Sequence, residues 1–105
     1  MAPSPTLIVI YTPALEACRA FYASLGLDLG DERHGTGPAH YAAVLGDGAV
    51  FELYPSSSRR TTGALRLGFT VDPGLTVDGT VLAPGRHLFH DPDGRTVEVH
   101  VPPAS

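Results

Sequence analysis

A short strand pattern occurs twice in this chain. The segment DGAVFELYP, residues 47–55, returns in altered form as DGRTVEVHVP, residues 93–102, and each copy places a glutamate four residues after the glycine. Asp-Gly pairs favour tight turns, and runs of alternating residue type favour strands. The repeat predicts two related modules, at about residues 5–55 and 64–102, joined by the polar linker 56–63.

The first module also predicts a helix that the second module lacks. Residues 6–11 indicate a strand, Thr12 and Pro13 are typical of a helix N-cap and first helical position, and Gly26 is placed to end the helix. Apolar residues at spacings of three and four form its buried stripe: Leu15, Cys18, Phe21, Tyr22 and Leu25. The second copy has 32 positions between its opening strand and its glutamate against 45 in the first, a difference of 13 that matches one small helix with a loop.

Length and composition restrict the class of protein. With 105 residues the chain is expected to form a single domain, and its 43% apolar and 17% charged residues are typical of a globular protein. A net charge of −4 does not provide the basic surface that nucleic acids require, and residues 1–13 contain neither a basic leader nor a membrane-spanning run. The only cysteine, Cys18, is expected to pack as a small apolar residue. We therefore expect a cytoplasmic protein that binds neither nucleic acid nor membranes.

Alternation along the strands divides their side chains between two faces. One face of each strand is apolar, because side chains two apart point the same way. The other faces mix polar, aromatic and aliphatic side chains, and the candidate ligand-binding residues on them are Leu7, Val9, Tyr11, Glu52, Tyr54, Arg66, Glu98 and His100. Such faces are either solvent-exposed or the walls of a partly apolar pocket. The pocket is favoured, since a solvent-exposed face seldom carries so many aromatic and aliphatic groups.

The sequence resembles the vicinal oxygen chelate superfamily, which includes glyoxalase I, extradiol dioxygenases and bleomycin resistance proteins. The matching segments are ALEACRAFYASLGLDL, FELYP, LRLGFTVD and HLFHDPDGRTVEVHV, and the resemblance extends from about Leu7 to Val101. It implies an α+β fold of paired βαβββ modules, curled into a half-open barrel around an inner cavity. In this chain the helix of the second module is missing from that pattern.

The resemblance also implies four inward metal-ligand positions, which fall here on Leu7, Glu52, Arg66 and Glu98. The two glutamates match the family pattern. Leucine has no atom that can bind a metal ion, and the arginine guanidinium carries only N–H groups, which donate hydrogen bonds and do not bind metals. We therefore expect no metal and no cofactor. Our hypothesis is that Arg66 pairs with the two glutamates where an ion would otherwise stand, either as part of a ligand site or as a purely structural ion pair.

The histidines provide weaker indications. His87 and His90 lie three apart on a predicted strand, so their side chains point to opposite faces and do not chelate one ion. His34 and His40 flank the HGTGP segment and are expected to be solvated. His100 shares a face with Glu98, which leaves open either a Glu-His proton relay or an ordinary wall residue.

The apolar face of the second module needs a cover because its own helix is missing. An apolar patch of that size is seldom left exposed. Two covers are possible: a second copy of the chain in a homodimer, or the first-module helix reaching across. Members of the resembled family often dimerise, and several build the cavity across two chains.

Three functions are compatible with the sequence. The first is a metal-free protein that binds a polar or charged small molecule, or an antibiotic-like metabolite. The second is a metal-independent isomerase, cyclase or lyase whose candidate catalytic residues are Glu98, Glu52 and His100. The third is a metal enzyme of the glyoxalase or dioxygenase type with Glu52, Glu98 and a recruited histidine, His40 or His100, as ligands. Binding is the favoured interpretation, and enzymatic activity is left open.

Overall fold

The computed structural model describes residues 1–103, and within them the chain forms two main sheets, a short hairpin and one helix. The elements in chain order are β1 (Leu7–Thr12), α1 (Leu15–Ser24), β2 (Gly30–Glu32), β3 (His40–Val44), β4 (Val50–Pro55), β5 (Arg66–Thr70), β6 (Thr76–Val77), β7 (Thr80–Val81), β8 (Gly85–His90) and β9 (Thr96–Val101). No helix among the described residues is long and apolar enough to cross a membrane.

The two main sheets repeat one pairing scheme. In the first sheet, of order β1-β4-β3-β2, strand β1 runs parallel to β4 and β3 runs antiparallel to it. In the second, of order β5-β9-β8, strand β5 runs parallel to β9 and β8 runs antiparallel. The β6–β7 hairpin lies in the chain where the first copy has α1 and β2. The predicted α+β fold with a helix-less second copy is confirmed, and its curled sheets are not closed into a barrel.

The helix begins later than the sequence predicts. Its N-cap is Ala14, without a side-chain cap, so the prediction of Thr12 as N-cap and Pro13 as first helical residue is wrong. Thr12 is the last residue of β1 and pairs with Pro55, which keeps its backbone extended. Its hydroxyl accepts a hydrogen bond from the Ala14 N–H at 3.0 Å and donates one to Asp93 of the second copy. The predicted end is confirmed, because Gly26 has φ +103°, a conformation that favours glycine.

The helix packs against both sheets in one core. The Tyr22 ring lies 5.0 Å from that of Phe51 in β4 and 6.4 Å from that of Phe69 in β5, centroid to centroid. Phe51 and Phe69 are themselves 5.9 Å apart. The buried apolar residues of this core are Ile10, Cys18, Tyr22, Leu25, Leu27, Leu29, Ala43, Phe51, Leu53, Val97, Val99 and Val101. The valines of β9 are therefore covered within one chain. Of the two covers that the sequence allows, the structure shows the helix of the first module.

The segment LDLGDER, residues 27–33, has the alternating pattern of a strand, but only its second half is one. Only Gly30–Glu32 pairs with β3, and Leu27 and Leu29 precede that strand. Both leucines turn into the core instead and are less than a tenth exposed. Burial of their side chains outweighs the strand pattern at this point, since each buried leucine contributes about 1.5 to 3 kcal/mol.

A buried ion-pair network ties the second copy to the first. Arg95, which is 4% exposed, donates to Asp91 Oδ2 at 3.0 Å and to Asp93 Oδ2 at 2.8 Å. The hydroxyl of Tyr22 in α1 donates to Asp91 Oδ2 at 2.7 Å. The guanidinium also donates to three backbone carbonyls, those of Tyr11, Thr62 and Gly63. The DPDGR turn is thus a cross-link between β1, the helix and the linker, a role that its sequence did not reveal.

Candidate functional site

The first sheet presents one polar and aromatic face, as alternation predicts. In-register pairs such as Val9 with Glu52 and Glu32 with His40 place their side chains on the same face. We call this surface the first polar face, and its members are Leu7, Val9, Tyr11, Glu32, His40, Ala42, Val44, Val50, Glu52 and Tyr54. The Tyr11 and Tyr54 rings lie 5.7 Å apart on it. Five of the eight predicted ligand-binding residues therefore share this face.

Two carboxylates and two imidazoles converge at one end of the first polar face. His40 Nε2 lies 3.1 Å from Glu32 Oε1 and 3.4 Å from Glu52 Oε2. His34 Nε2 lies 2.7 Å from Glu32 Oε1. We call Glu32, His34, His40 and Glu52 the histidine–carboxylate cluster. Interaction with His40 and then with His34 holds the pKa of Glu32 below its usual range, because both imidazoles favour its ionised form.

The prediction that His40 is solvated is wrong. His40 is 2% exposed, whereas His34, predicted in the same way, is exposed. The residue opens β3 directly opposite Glu32, and its ring stacks on that of Tyr54 with centroids 3.9 Å apart and planes 11° apart. Its Nδ1 lies 3.1 Å from the carbonyl oxygen of Pro38. Strand pairing and stacking therefore bury the ring and direct Nε2 at the two carboxylates.

The second sheet presents a basic face around the repeated glutamate. We call it the second polar face, and its members are Arg66, Gly68, Thr70, Arg86, Leu88, His90, Thr96, Glu98 and His100. Glu98 Oε1 accepts hydrogen bonds from Arg66 and lies 2.8 Å from Arg86 Nη2. His100 Nε2 lies 3.4 Å from the second oxygen of Glu98. Arg66, reinforced by Arg86, lowers the pKa of Glu98.

The pairing predicted for Arg66 is observed with one glutamate of the two. Arg66 binds Glu98, whereas Glu52 faces His40. Within residues 1–103 no ion pair joins the two glutamates through a shared cation. Arg86 was missed by sequence reasoning, although alternation along β8 places it on the same face as His100, its partner across the strands. The two copies therefore place the same glutamate in different environments, one with imidazoles and one with guanidinium groups.

A cleft beside the second polar face includes two members of that face, Gly68 and Thr70, in its lining. It has a volume of about 830 Å³ and lies between the end of α1, the β3–β4 turn and the β5–β6 loop. Leu25, Phe69 and Val71 contribute to its apolar lining. None of the eight predicted ligand-binding residues lines it, so a ligand site on the two polar faces stays a prediction.

Comparison with known proteins identifies the fold. No family model and no curated protein matches the sequence. Among solved structures, the chain is similar to TnmS3, an antibiotic binding protein from Streptomyces sp. CB03234, with 25% identity over 98% of this chain and 99% of that one and a TM-score of 0.62. A glyoxalase/dioxygenase from Nostoc punctiforme is 21% identical over 99% and 97% of the two chains, with a TM-score of 0.65. A glyoxalase/bleomycin resistance protein from Streptomyces sp. CB03234 is 24% identical over 92% and 99%, with a TM-score of 0.60.

The chain has the vicinal oxygen chelate fold. Its four residues at the metal-ligand positions of that superfamily do not fit a divalent ion. Leu7 has no atom that can bind a metal ion, and the Arg66 guanidinium already donates hydrogen bonds to Glu98. Glu52 and Glu98 belong to separate clusters on separate sheets. These four residues therefore do not form one ligand set for a divalent ion in this chain.

Proposed function

We propose that this protein binds an anionic or strongly polar small molecule, of the antibiotic-like kind, between its two polar faces. One observation carries the proposal: two guanidinium groups, Arg66 and Arg86, share the single carboxylate of Glu98. Their side chains are 57% and 53% exposed, so donors are left over for a ligand. A guanidinium group matches a carboxylate or phosphate with paired, charge-assisted hydrogen bonds.

Aromatic groups on the first polar face supply the other half of such a site. Tyr11 of β1 and Tyr54 of β4 present their rings side by side on this face, and the buried His40 of the next strand, β3, stacks against Tyr54. Planar aromatic ligands pack well on such rings. The similarity to an antibiotic binding protein, at 25% identity over nearly the whole of both chains, supports the same class of ligand here.

Catalysis by the glutamates has less support than binding. A general base that works near neutral pH needs a pKa raised toward that range. Arg66 shifts the pKa of Glu98 in the opposite direction, and this makes its carboxylate a weaker base. The contact of His100 with Glu98 is 3.4 Å long and His100 is exposed, so a proton relay has no enclosed path.

The ligand site is testable with a matched pair of substitutions. We expect Arg66→Gln and Arg86→Gln each to weaken binding of anthraquinone-2-carboxylate by roughly tenfold, because each removes a charge-assisted hydrogen bond. Binding is measured by isothermal titration calorimetry in buffer containing EDTA. Arg59→Gln, an exposed arginine of the linker, serves as control and is expected to bind like the wild type. Equal affinities for all four proteins would contradict the assignment of the site.

A homodimer is the second part of the proposal. The first polar face carries two carboxylates, Glu32 and Glu52, while the second carries two guanidinium groups against one carboxylate. Each face also exposes a leucine, Leu7 or Leu88. A twofold dimer that sets the first face of one protomer against the second face of its partner would bring opposite charges together and cover both leucines. The ligand would then bind between two chains.

The proposed dimer is testable by a substitution at its interface. Leu88→Asp introduces a charge at the interface and is expected to shift the protein from dimer to monomer in sedimentation velocity, with its circular dichroism unchanged. Val81→Asp, at another exposed apolar position in β7, is the matched control and is expected to leave the dimer intact. A wild-type protein that sediments as a monomer at micromolar concentration would contradict this arrangement.

We also propose a cytoplasmic location, consistent with the buried free thiol of Cys18.

A further inference from the structure

We propose that the histidine–carboxylate cluster binds one divalent transition-metal ion of the zinc class. The site shares only Glu52 with the four metal-ligand positions of the superfamily. Its other three members are Glu32 at the end of β2, His34 in the following loop and His40 at the start of β3. The ion would therefore be held by one sheet of one chain. This inference goes beyond the proposed ligand binding and does not depend on it.

The spacing of the donor atoms fits a small tetrahedral ion. One nitrogen or oxygen from each of the four side chains lies within 4.8 Å of the other three. Zinc binds imidazole nitrogen and carboxylate oxygen at about 2.0 to 2.2 Å, which separates neighbouring donors in a tetrahedron by about 3.3 Å. His40 Nε2 lies 3.1 Å from Glu32 Oε1 and 3.4 Å from Glu52 Oε2. Two edges of the tetrahedron are thus already formed.

The orientation of His40 is typical of a metal ligand. When Nδ1 donates to the carbonyl oxygen of Pro38, at 3.1 Å, the lone pair of the neutral ring is on Nε2, the atom that faces the carboxylates. Ligating histidines commonly donate their other N–H to a backbone carbonyl or carboxylate in this way. The ring of Tyr54, stacked 3.9 Å away, fixes the imidazole plane. No rearrangement of His40 is needed for coordination.

The charge of the cluster calls for a cation. Glu32 and Glu52 contribute two negative charges, and the chain contains no lysine. Within residues 1–103, neither carboxylate forms an ion pair with an arginine, in contrast to Glu98 with its two guanidinium groups. A divalent ion would balance both carboxylates at once. The two imidazoles favour zinc, cobalt, nickel or iron over calcium and magnesium, which prefer oxygen ligands.

The test uses the full chain, stripped with a chelator and dialysed, with zinc chloride and cobalt chloride as probes. Isothermal titration calorimetry is expected to show one zinc ion per chain, and cobalt is expected to give the intense visible bands of a tetrahedral site. We expect His34→Gln and Glu32→Gln each to weaken zinc binding by at least about 10- to 100-fold, the loss that even an outer-shell partner causes. Both positions are at the surface end of the cluster, so these variants are expected to fold.

Two further variants separate a specific site from adventitious binding. His40→Gln is expected to abolish the cobalt bands, although loss of this buried ring also affects folding. His90→Gln removes an exposed histidine of the second polar face and is expected to bind zinc like the wild type. Absence of saturable zinc binding by the wild type would overturn the proposal. So would stoichiometric binding that His34→Gln and Glu32→Gln leave unchanged. Because ligand binding is measured in EDTA, failure of one proposal does not mimic failure of the other.

Discussion

Replacing Arg95 with alanine is expected to lower the free energy of unfolding by about 3 to 5 kcal/mol, the loss typical of breaking a buried ion pair. The guanidinium is almost wholly buried between Asp91 and Asp93. Its removal leaves the buried carboxylate of Asp91 without its cation and takes one hydrogen-bond donor away from each of three backbone carbonyls. Urea denaturation followed by circular dichroism measures the change.

The matched control is Arg59→Ala, in the exposed linker, with an expected change within about 0.5 kcal/mol. Equal stability of the Arg95 and Arg59 variants would show that the network does not join the two copies.

Tyr22→Phe keeps the ring in the core but removes its hydrogen bond to Asp91. This substitution is expected to lower the free energy of unfolding by about 1 kcal/mol.

Acid should reduce the effect of Arg95→Ala. Burial opposes ionisation of Asp91, but the Tyr22 hydroxyl and the Arg95 backbone and guanidinium outweigh it and hold the pKa of Asp91 below its usual value. A carboxyl group with a lowered folded-state pKa contributes stability above its unfolded pKa, near 3.9, and loses it as pH falls through the folded value. The difference between wild type and variant is therefore expected to be full at pH 7 and to shrink below about pH 4.

Replacing Phe51 with alanine is expected to cost about 3 to 5 kcal/mol, because its fully buried ring leaves a cavity. The ring contacts both Tyr22 of α1 and Phe69 of β5, so it tests whether one core serves both sheets. Unfolding in urea is expected to remain a single transition with an earlier midpoint. Loss of cooperativity would instead mean that the two sheets unfold as separate units.

Val44→Ala is the control for the Phe51 substitution. Val44 lies on the other face of the same sheet and is exposed. We expect a change within about 0.5 kcal/mol. A loss of less than about 1 kcal/mol for Phe51→Ala would contradict the shared core, since truncation of a fully buried phenylalanine normally costs several times more.

The strand faces were predictable from the sequence because they depend only on local alternation. The assignment of Glu52 and Tyr54 to one face and of Phe51 and Leu53 to the other follows from period two alone, and the burial pattern of β4 confirms it. The helix stripe was predictable for the same reason. Its first residue was not, because the Thr12 hydroxyl interacts with Asp93, 81 positions away.

The histidine–carboxylate cluster and the Arg95 network both depend on contacts between segments that are distant in the sequence. The glycine-containing segment beside His40 predicts a solvated side chain, but a β2–β3 hairpin around residues 33–39 pairs His40 with Glu32. The turn residues of the HGTGP segment were a usable sequence signal for this hairpin. The contact with Glu52 requires the further knowledge that β4 adjoins β3. The carbonyl groups that bind Arg95 belong to a linker and to another strand, and backbone acceptors leave no mark in a sequence.

The repeated glutamate is explained by what surrounds each copy. Glu52 lies beside His40 in an acidic cluster, while Glu98 lies between two arginines. The two copies therefore surround the same position differently, with imidazoles and a second carboxylate in one and with guanidinium groups in the other. This asymmetry underlies both the proposed ligand site and the proposed metal site.

The most direct test of the proposed function compares two ligands that differ only in charge. Anthraquinone-2-carboxylate and its neutral carboxamide are titrated into the wild-type protein in EDTA, with heat release as the readout. The account predicts saturable binding of the carboxylate and markedly weaker binding of the amide, because Arg66 and Arg86 recognise a negative charge. Equal binding of the two compounds, or binding of neither, would contradict a basic ligand site at Glu98.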